Sequence, residues 1–469
     1  MTEAPGADPH EHILREYARA ALIRWQLALG CNGRPTFGSL RRNPLQGIIA
    51  FLTIELLSET TTYQTETLLA DVERNLRHLI RRPRQSPWIG ASTICALADG
   101  AVLVRDTSLL RLARARLQEF LKRQNVEGWF PERGGPDVGR LFLTLDALAR
   151  VYRQNSWEEL ADPLRRVLAF LVDLVHPDGT IGGYYSSCGT AFISPYGVEL
   201  LAPEFPDAAA LAVTARRRYQ RLADERFLGW HDDLCAVLGP SLTLAATNAS
   251  SKLPLPTSFP FETITREHYP NAGILIFNND AYHAVVGGRN GGSLHVTWRS
   301  GAPSLDEPGI TVVCPRATRT SGRWDSRTRV EVALPVLSIH GILRRQGLPG
   351  RQRFAWIKRL AHWIASTGWI ARFGKVVGKG TSRSHQLVSD RYRRDIILDD
   401  DRIRIKDAVN CRLACRTILC QSPPDVTSQR YVDRSADNIA PPAPIYSDGG
   451  RKVELIRTYR DGRLIDQRD

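Results

Sequence analysis

Two glycine-rich loops carry residues whose side chains could do chemistry. The first, EGWFPERGG (127–135), contains Glu132 and precedes Arg140, and the second, DGTIGGYYSSCGT (178–190), contains Tyr184 and Tyr185. The planar guanidinium of an arginine fits a carboxylate, whereas a carboxyl group or a phenol can transfer a proton. A phenol has an ordinary pKa of about 10, so it needs a neighbouring cation to ionise near neutral pH.

The same two loops belong to a repeat. FLKRQNVEGWFPERGG (120–135) and FLVDLVHPDGTIGGYY (170–185) both read as an apolar helix, a polar turn and a Gly-rich or aromatic loop. Their spacing of roughly 50 residues predicts stacked helical hairpins, and in a ring of hairpins the loops Glu127–Gly139 and Asp178–Tyr196 meet at one mouth. The alternative is that they are tight turns, in which Gly supplies positive φ and an acidic residue caps the next helix.

The chain changes character near its middle. Apolar residues recur every three or four positions from Pro9 to about Thr247, which predicts helices, and NASSKLPLPTSFP (248–260) predicts a linker. Short runs rich in Val and Ile then alternate with turn residues, which is typical of an antiparallel sandwich. The predicted fold class is therefore α+β multidomain. An N-terminal (α/α) toroid of helical hairpins covers 1–250, and a C-terminal antiparallel β-sandwich covers 251–469.

A basic, Trp-rich insertion near 340–385 interrupts the strand pattern. Between Val332 and Ser389 there are ten Lys or Arg and no acidic residue, and RQRFAWIKRLAHWIASTGWIARFGK (351–375) has an apolar stripe at helical spacing. Such a helix suits an anionic membrane surface or a polyanion. The alternative is a helix whose stripe packs on its own sandwich, with its basic residues in solvent.

The composition indicates which kinds of partner the protein could bind and in which cell compartment it is expected. Lys and Arg number 63 against 49 Asp and Glu in 469 residues, a formal charge of +14 that favours nucleic acid, an anionic membrane or an acidic glycan. The N-terminus lacks the basic start and apolar run of a signal peptide, and no stretch has the roughly 20 apolar residues of a membrane span. These features predict a soluble, cytoplasmic protein, with association to a membrane surface as an option.

The positions of the cysteines do not predict a metal site. The eight cysteines are scattered, and Cys411, Cys415 and Cys420 do not form the two close pairs typical of structural zinc. They are interpreted as buried thiols of a large cytoplasmic protein. Neither a metal nor a cofactor is expected, and the oligomeric state is left open.

The combination of a helical ring with a sandwich resembles the heparinase II/III-like family of polysaccharide lyases. The resemblance covers residues from about 40 to 469. Its specific parts are EGWFPERGG with the following helix (127–153), DGTIGGYYSSCGTAFISPYGVELL (178–201), AGILIF…YHAVVGGRNGGSLHV (272–296) and RYRRDIILDDDRIRIKDAV (391–409). It implies β-elimination, in which one group neutralises a uronate carboxylate, a base takes the neighbouring proton and an acid serves the leaving oxygen.

The resemblance also assigns residues and exposes departures. Glu132 and Tyr185 match family positions, whereas Gly139-Arg140 stands where relatives often have Gly-Tyr. Cys188-Gly189-Thr190-Ala191 replaces an expected Arg-Asn-Thr-Glu, and Tyr196 replaces an expected His. The implied proton-transfer residues are Tyr185, Glu132, Tyr184 and His268. The implied substrate-binding residues are Arg140, Trp129, Tyr196 and Arg289. Sugars stack on aromatic rings, and Trp129, Phe130, Tyr184 and Tyr185 are available for this. His268 and Arg289 are the candidates that close the cleft from the β half.

Three functions follow in order of expectation. The first is a lyase-like protein acting on an acidic, uronate-containing polysaccharide by β-elimination, in making or editing a surface glycan. The alternative is an inactive glycan-binding or membrane-surface adaptor on the same scaffold, because several polar groups of the family's second loop are replaced. Nucleic-acid binding is not expected, since the basic residues are dispersed and form no compact motif.

Overall fold

The protein is described here from a computed structural model. The residues that it describes are 87–103, 105–224, 238, 241–242, 244–250, 252–314, 317–345, 390–411, 417–419 and 452–468. Residues 1–86 of the predicted toroid lie outside them, as do 346–389, which contain most of the predicted basic insertion.

The first described half is helical. Two of its helices begin at an aspartate that caps a free backbone N–H: Asp106 accepts from the backbone N of Ser108, and Asp137 from the backbone N of Arg140. The helices are α1 (Pro87–Leu103), α2 (Thr107–Leu121), α3 (Val138–Asn155), α4 (Ala161–Asp173), α5 (Pro195–Leu201) and α6 (Pro206–Asp224).

The helices pack against one another in pairs. Helix α3 lies against both α1 and α5, whereas α2 packs on α1, and α4 packs on α6. Helix α3 is buried around most of its circumference, including Leu145 and Leu148, which are fully inaccessible. A helix covered on all sides belongs to an inner layer, so α3 is the helix best placed to carry site residues into the interior.

The second half consists of antiparallel strands. They form a five-stranded sheet (β1-β2-β3-β4-β5), a four-stranded sheet (β10-β7-β6-β13) and a six-stranded sheet (β15-β14-β12-β11-β9-β8). The strands are β1 (Thr265–Tyr269), β2 (Ile274–Asn278), β3 (Tyr282–Gly287), β4 (Ser293–Trp298), β5 (Leu305–Glu307), β6 (Thr311–Cys314), β7 (Ala317–Thr320), β8 (Arg329–Ala333), β9 (Val336–Ile342), β10 (Arg344–Arg345), β11 (Arg391–Leu398), β12 (Ile403–Asn410), β13 (Thr417–Leu419), β14 (Lys452–Arg460) and β15 (Arg463–Arg468).

The five-stranded sheet is a wall shared by two cores. Successive residues of a strand point to opposite faces. Accordingly Ile276 and Val285 belong to the helical core, whereas Leu275 and Val286 pack against the six-stranded sheet in the sandwich core. Both faces of β2 and β3 are therefore buried, and the helical half rests directly on the sheet.

These elements confirm the predicted α+β multidomain class, with helices first and antiparallel sheets second. The last described helical residue is Asn248, the first strand begins at Thr265, and residues 249–259, apart from 251, have neither helix nor strand. The exact boundary at 250 stays a prediction. Within the described part, no helix is both long and apolar enough to cross a bilayer.

Candidate functional site

The two loops singled out in the sequence touch each other. The Ser187 hydroxyl donates to the carbonyl of Glu132 at 2.7 Å. Asp137, which caps α3, accepts from the Cys188 backbone N at 2.9 Å and from the Thr190 hydroxyl at 2.5 Å. The predicted meeting of the loops is therefore confirmed, and a buried carboxylate holds the second loop against the start of α3.

Glu132 is a buried anchor in the first loop. Its side chain accepts from the backbone N of Trp88 at 2.8 Å and pairs with the Arg140 guanidinium at 3.4 Å, and the residue is only 2 % exposed. Burial raises the pKa of the Glu132 carboxyl, and the hydrogen bonds from Trp88 and Arg140 oppose that rise. The carboxylate thus ties α1 to Arg140, and most of its acceptor capacity is turned inward.

Besides the exposed Arg133 of the first loop, the mouth contains Arg140 as a partly accessible cation. Its side chain is 21 % exposed, and only one of its guanidinium nitrogens bonds Glu132. The other two have no hydrogen-bond partner among the described residues. Cys188 and Asp137 lie near enough to raise the pKa of Arg140 against the opposing effect of burial. A positive charge therefore stands beside Cys188, where the family resemblance predicts an arginine in the loop itself.

The side chain of Tyr185, a residue of the second loop, is buried beneath that loop and does not line the mouth. It is 1 % exposed, and its hydroxyl accepts from the Gly182 backbone N at 2.7 Å. The same oxygen lies 2.9 Å from His176 Nε2 and 3.2 Å from the Leu174 carbonyl oxygen. Burial strongly raises the pKa of the phenol. In this conformation a ligand from solvent has no access to that oxygen.

Tyr184 is the exposed member of the pair, at 43 %. The Asn290 amide donates to its backbone carbonyl at 2.8 Å, which fixes the loop against the β half. Partial burial and then the nearby Asp306 carboxylate raise the pKa of the Tyr184 phenol. A ligand can therefore reach this phenol, but it stands beside a carboxylate instead of the cation that would ionise it.

Two predicted substrate-binding aromatics are part of the helical core. Trp129 is 4 % exposed and donates its indole N–H to Glu127 at 2.9 Å. Tyr196 is 5 % exposed, and its hydroxyl accepts from Arg150 at 3.1 Å. Burial raises the pKa of Tyr196 to about 12, despite Arg150. Neither ring offers a free face on which a sugar could stack in this conformation.

The two predicted residues of the β half lie at the edge of the interface. His268 is exposed on β1 near Glu127, and partial burial lowers its pKa. Arg289 donates to the carbonyls of Ser326 at 3.0 Å and Pro270 at 3.3 Å, and its guanidinium sits 5.7 Å from the Trp324 ring centre. Arg289 therefore connects the two loops that contain Pro270 and Ser326. The roles predicted for both residues stay predictions.

Sequence reasoning missed a group of histidines next to Tyr185. His176 stacks on His295 with 3.8 Å between ring centres, and His295 Nδ1 lies 2.9 Å from Asp306. A signal existed in AYHAVVGG and GGSLHVTW, where consecutive predicted strands each carry one histidine. Within the described residues, no set of three or more His, Cys, Asp or Glu side chains is arranged to hold a metal ion.

Comparison with known proteins gives no family assignment, because no family model and no curated protein matches the sequence. Among solved structures, the chain is similar to the chondroitin AC lyase of Streptomyces coelicolor A3 in complex with chondroitin sulphate. The identity is 16 % and the TM-score 0.44, over 89 % of this chain and 69 % of that one.

Two further similar structures also bear the names of polysaccharide lyases. One is heparinase III, at 10 % identity and a TM-score of 0.45 over 87 % of this chain and 63 % of that chain. The other is a heparan sulfate lyase from Pedobacter heparinus, at 11 % identity and a TM-score of 0.22 over 89 % and 72 %. At such identities the roles of residues in this chain depend on its own geometry.

Proposed function

We propose that this chain is a polysaccharide-lyase-like protein that binds an acidic, uronate-containing polysaccharide in the mouth between its two loops. The observation that carries the proposal is Arg140, a partly exposed cation between loops that are held together by Asp137. Two of its guanidinium nitrogens have no hydrogen-bond partner among the described residues. A planar guanidinium recognises a carboxylate through paired hydrogen bonds. The net charge of +14 adds a long-range attraction for a polyanion.

The geometry favours binding over turnover. Catalysis as predicted needs Tyr185, Glu132 and Arg140 around one point, but the Tyr185 hydroxyl is enclosed with His176, and Glu132 is turned toward Trp88. An active lyase needs a base that substrate can reach. The chain therefore fits the glycan-binding alternative on the lyase-like scaffold.

β-Elimination is the second candidate function, and one observation favours it. Tyr184 presents an exposed phenol on the second loop, with its backbone anchored by Asn290. In that mechanism Tyr184 would transfer the proton, and Arg140 would neutralise the uronate carboxylate. The raised pKa of Tyr184 opposes this role unless bound substrate changes its surroundings.

A binding titration tests the proposed ligand. Purified protein is titrated with size-defined oligomers of polyuronates and of sulfated glycosaminoglycans, alongside Arg140→Ala and the matched charge-loss variant Arg111→Ala on the exposed side of α2. Loss of a charge-assisted hydrogen bond of about 1.5–3 kcal/mol should weaken binding at least about tenfold in Arg140→Ala alone. Equal affinities for the two variants would remove the proposed site.

Ultraviolet absorbance of unsaturated uronates separates the two candidate functions. Absorbance that stays flat with bound polysaccharide supports the binding protein. A rise that Tyr184→Phe abolishes and Tyr185→Phe retains establishes β-elimination with Tyr184 as the proton-transfer group. A rise abolished only by Tyr185→Phe would mean that the loop opens during turnover, contrary to both assignments.

The cellular setting is also a proposal. A polysaccharide-binding, lyase-like protein with a net charge of +14 fits a cytoplasmic role in making or editing a surface glycan, with peripheral contact to an anionic membrane. Fractionation of cells expressing the tagged full chain, with and without a high-salt wash, tests it. Release from membranes by salt supports electrostatic attachment, whereas exclusive recovery in the culture medium contradicts a cytoplasmic role.

A further inference from the structure

Three histidines meet where the helical half packs on the five-stranded sheet. His176 follows α4, His283 lies on β3 and His295 on β4, and their exposures are 1, 0 and 7 %. The ring centres of His176 and His295 are 3.8 Å apart, and those of His176 and His283 are 6.2 Å apart. These residues are the histidine cluster.

The strand register explains why the cluster forms. His283 pairs with Thr297 and His295 pairs with Val285 in the β3–β4 ladder, so the two histidines are diagonal neighbours on one face. Val285 on that face belongs to the helical core. Both strand histidines therefore face the helical half, and His176 meets them from the other side of the interface.

The three rings differ in their hydrogen bonding. His176 lies within hydrogen-bond distance of Thr180 through Nδ1 at 2.8 Å and of Tyr185 through Nε2 at 2.9 Å, whereas His295 bonds Asp306. Both ring nitrogens of His283 are buried and have no hydrogen-bond partner among the residues that the structure describes. A buried polar group without a partner costs free energy, and a cation there would cost more. His283 is thus stable only as a neutral ring.

Charged groups reach the cluster from every element around it. Carboxylates come from Asp178 in the second loop and Asp306 on β5, and guanidinium groups come from Arg218 on α6 and Arg299 just beyond β4. The phenols of Tyr184 and Tyr185 also lie close to this group, since Asp306 acts on both. Asp306 is already engaged by His295, and no carboxylate hydrogen-bonds His283 in the described structure.

We propose that the histidine cluster makes this interface acid-sensitive, so that proton uptake by His283 and His176 releases the second loop from the five-stranded sheet. Opening hydrates both rings and separates His176 from the stacked ring of His295. The released segment carries Tyr184 and lies beside Cys188 and Arg140, so its release would also disorganise the mouth. The inference concerns the fold and does not depend on which ligand the mouth binds.

The direction follows from proton linkage. Burial first, and the neighbouring His295 second, lower the pKa of His283 to about 3 and also hold that of His176 well below its ordinary value of about 6.5. Below about pH 6.5 the open state therefore binds more protons than the closed state. The equilibrium constant for opening then rises by up to about tenfold for each pH unit of acidification and for each histidine.

His295 acts in the opposite sense. Asp306 raises its pKa above the ordinary value although burial alone would lower it. Protonation of His295 therefore stabilises the closed interface as the pH falls through that raised pKa. This stabilisation is fully present below about pH 6.5, where further acid acts only through His283 and His176. The interface is therefore tightest near neutral pH and loosens in acid.

Hydrogen exchange tests the proposal on the full chain. Backbone exchange, corrected for its intrinsic pH dependence, is measured at pH 7.0 and 5.5 for the segments 182–187 and 283–287. Strand β12 (403–410), which lies in the six-stranded sheet, is the internal reference. The expected result is opening that increases by up to about a hundredfold at pH 5.5 in the first two segments and remains unchanged in β12. Equal protection at both pH values would overturn the proposal without any variant.

A ring-preserving variant assigns the effect to the cluster. His283→Phe removes one titrating group, so the acid-induced increase should fall to about tenfold, while His340→Phe, which alters a histidine on β9 of the six-stranded sheet, should leave it at the wild-type size. Should His283→Phe not fold, His283→Leu is measured instead. An increase of wild-type size in the folded His283 variant would show that other groups carry the acid response, and the proposal would fail.

Discussion

Tyr184 and Tyr185 are adjacent in the chain but belong to different environments. The ring of Tyr185 belongs to the helical core and its hydroxyl meets Gly182 and His176, whereas Tyr184 is 43 % exposed. Hydrogen bonds within a protein stabilise modestly, but leaving a buried partner unpaired costs about 1–3 kcal/mol. The two phenols should therefore differ in what they contribute to stability.

Removing the Tyr185 hydroxyl should lower the free energy of unfolding by about 1–3 kcal/mol, because Tyr185→Phe leaves the Gly182 N–H and the His176 ring without their partner. Tyr184→Phe should change it by less than about 0.5 kcal/mol, as for an ordinary surface substitution. Urea unfolding followed by far-ultraviolet circular dichroism measures both. Similar stabilities for the two variants would contradict the enclosed position of Tyr185.

Asp146 is a buried carboxyl in the middle of α3. One of its oxygens accepts from the hydroxyls of Ser194 at 2.5 Å and Ser241 at 2.8 Å, and the other accepts from the Gly197 backbone N at 2.7 Å. Burial raises its pKa to about 6, although these three hydrogen bonds lower it. Burial is therefore the stronger effect, and the protonated form is the more compatible with the fold.

A raised carboxyl pKa gives stability that is present below its unfolded value of about 4 and lost as the pH rises through the folded value of about 6. Asp146→Asn does not titrate, so its stability relative to wild type should rise by up to roughly 3 kcal/mol between pH 4 and pH 7. Urea unfolding of both proteins across that range measures the difference. A constant difference would show that Asp146 has an ordinary pKa.

At the scale of elements, the spacing of apolar residues and the residues typical of turns were sufficient to predict helices in the first half and many of the strands in the second. Apolar residues that recur every three or four positions up to about Thr247 predicted helices, and the structure places one of these helices in the interior as α3. Runs such as GGSLHVTW alternated as strands do, and they pair as antiparallel ladders. Local patterns suffice there because backbone hydrogen bonding within an element depends on near neighbours.

The candidate site was only partly predictable. The repeat placed the two loops together, and Arg140 does lie beside Cys188. The enclosure of Tyr185 could not be predicted from its loop alone, because the tyrosine backbone also packs against Gly287, which is more than 100 residues away. Contacts between distant segments depend on how sheets and helices dock, and sequence periodicity does not encode that.

Gly287 at the end of β3 sets the distance between sheet and loop. Its φ of −91° is open to any residue, yet an added Cβ would lie 2.8 Å from Tyr185 Cα and 2.7 Å from the Ser293 hydroxyl. Gly287→Ala should therefore destabilise by about 1–3 kcal/mol through overpacking.

Gly90→Ala on α1 is the matched control, because its Cβ would meet the Phe120 ring at 3.4 Å, an ordinary contact distance. It should gain up to about 1 kcal/mol from helix propensity. Urea unfolding of both variants measures the contrast. A neutral Gly287→Ala would mean that the loop can move aside at little cost.

At the scale of the whole molecule, side chains of the first loop clamp the two halves together. Glu127 accepts from the backbone N–H of Asn271 at 2.6 Å and of Ala272 at 2.9 Å, just beyond β1, and from the Trp129 indole. Tyr269 on β1 also bonds Asp173 at the end of α4. Backbone donors held by a carboxylate form a charge-assisted contact that an amide cannot reproduce, since its NH₂ group would face them.

Glu127→Gln should therefore loosen the two halves without unfolding either one. The expected result is faster cleavage by a nonspecific protease in the connecting residues 249–259, because local opening exposes a segment whose described residues have neither helix nor strand. Loss of one charge-assisted hydrogen bond, about 1.5–3 kcal/mol, corresponds to at least about a tenfold rise in cleavage rate when opening is fast. Glu119→Gln, which removes an exposed carboxylate paired with Lys122, should cleave at the wild-type rate. If both variants were cleaved like wild type, the halves would have to be held mainly by the apolar and histidine contacts of the five-stranded sheet.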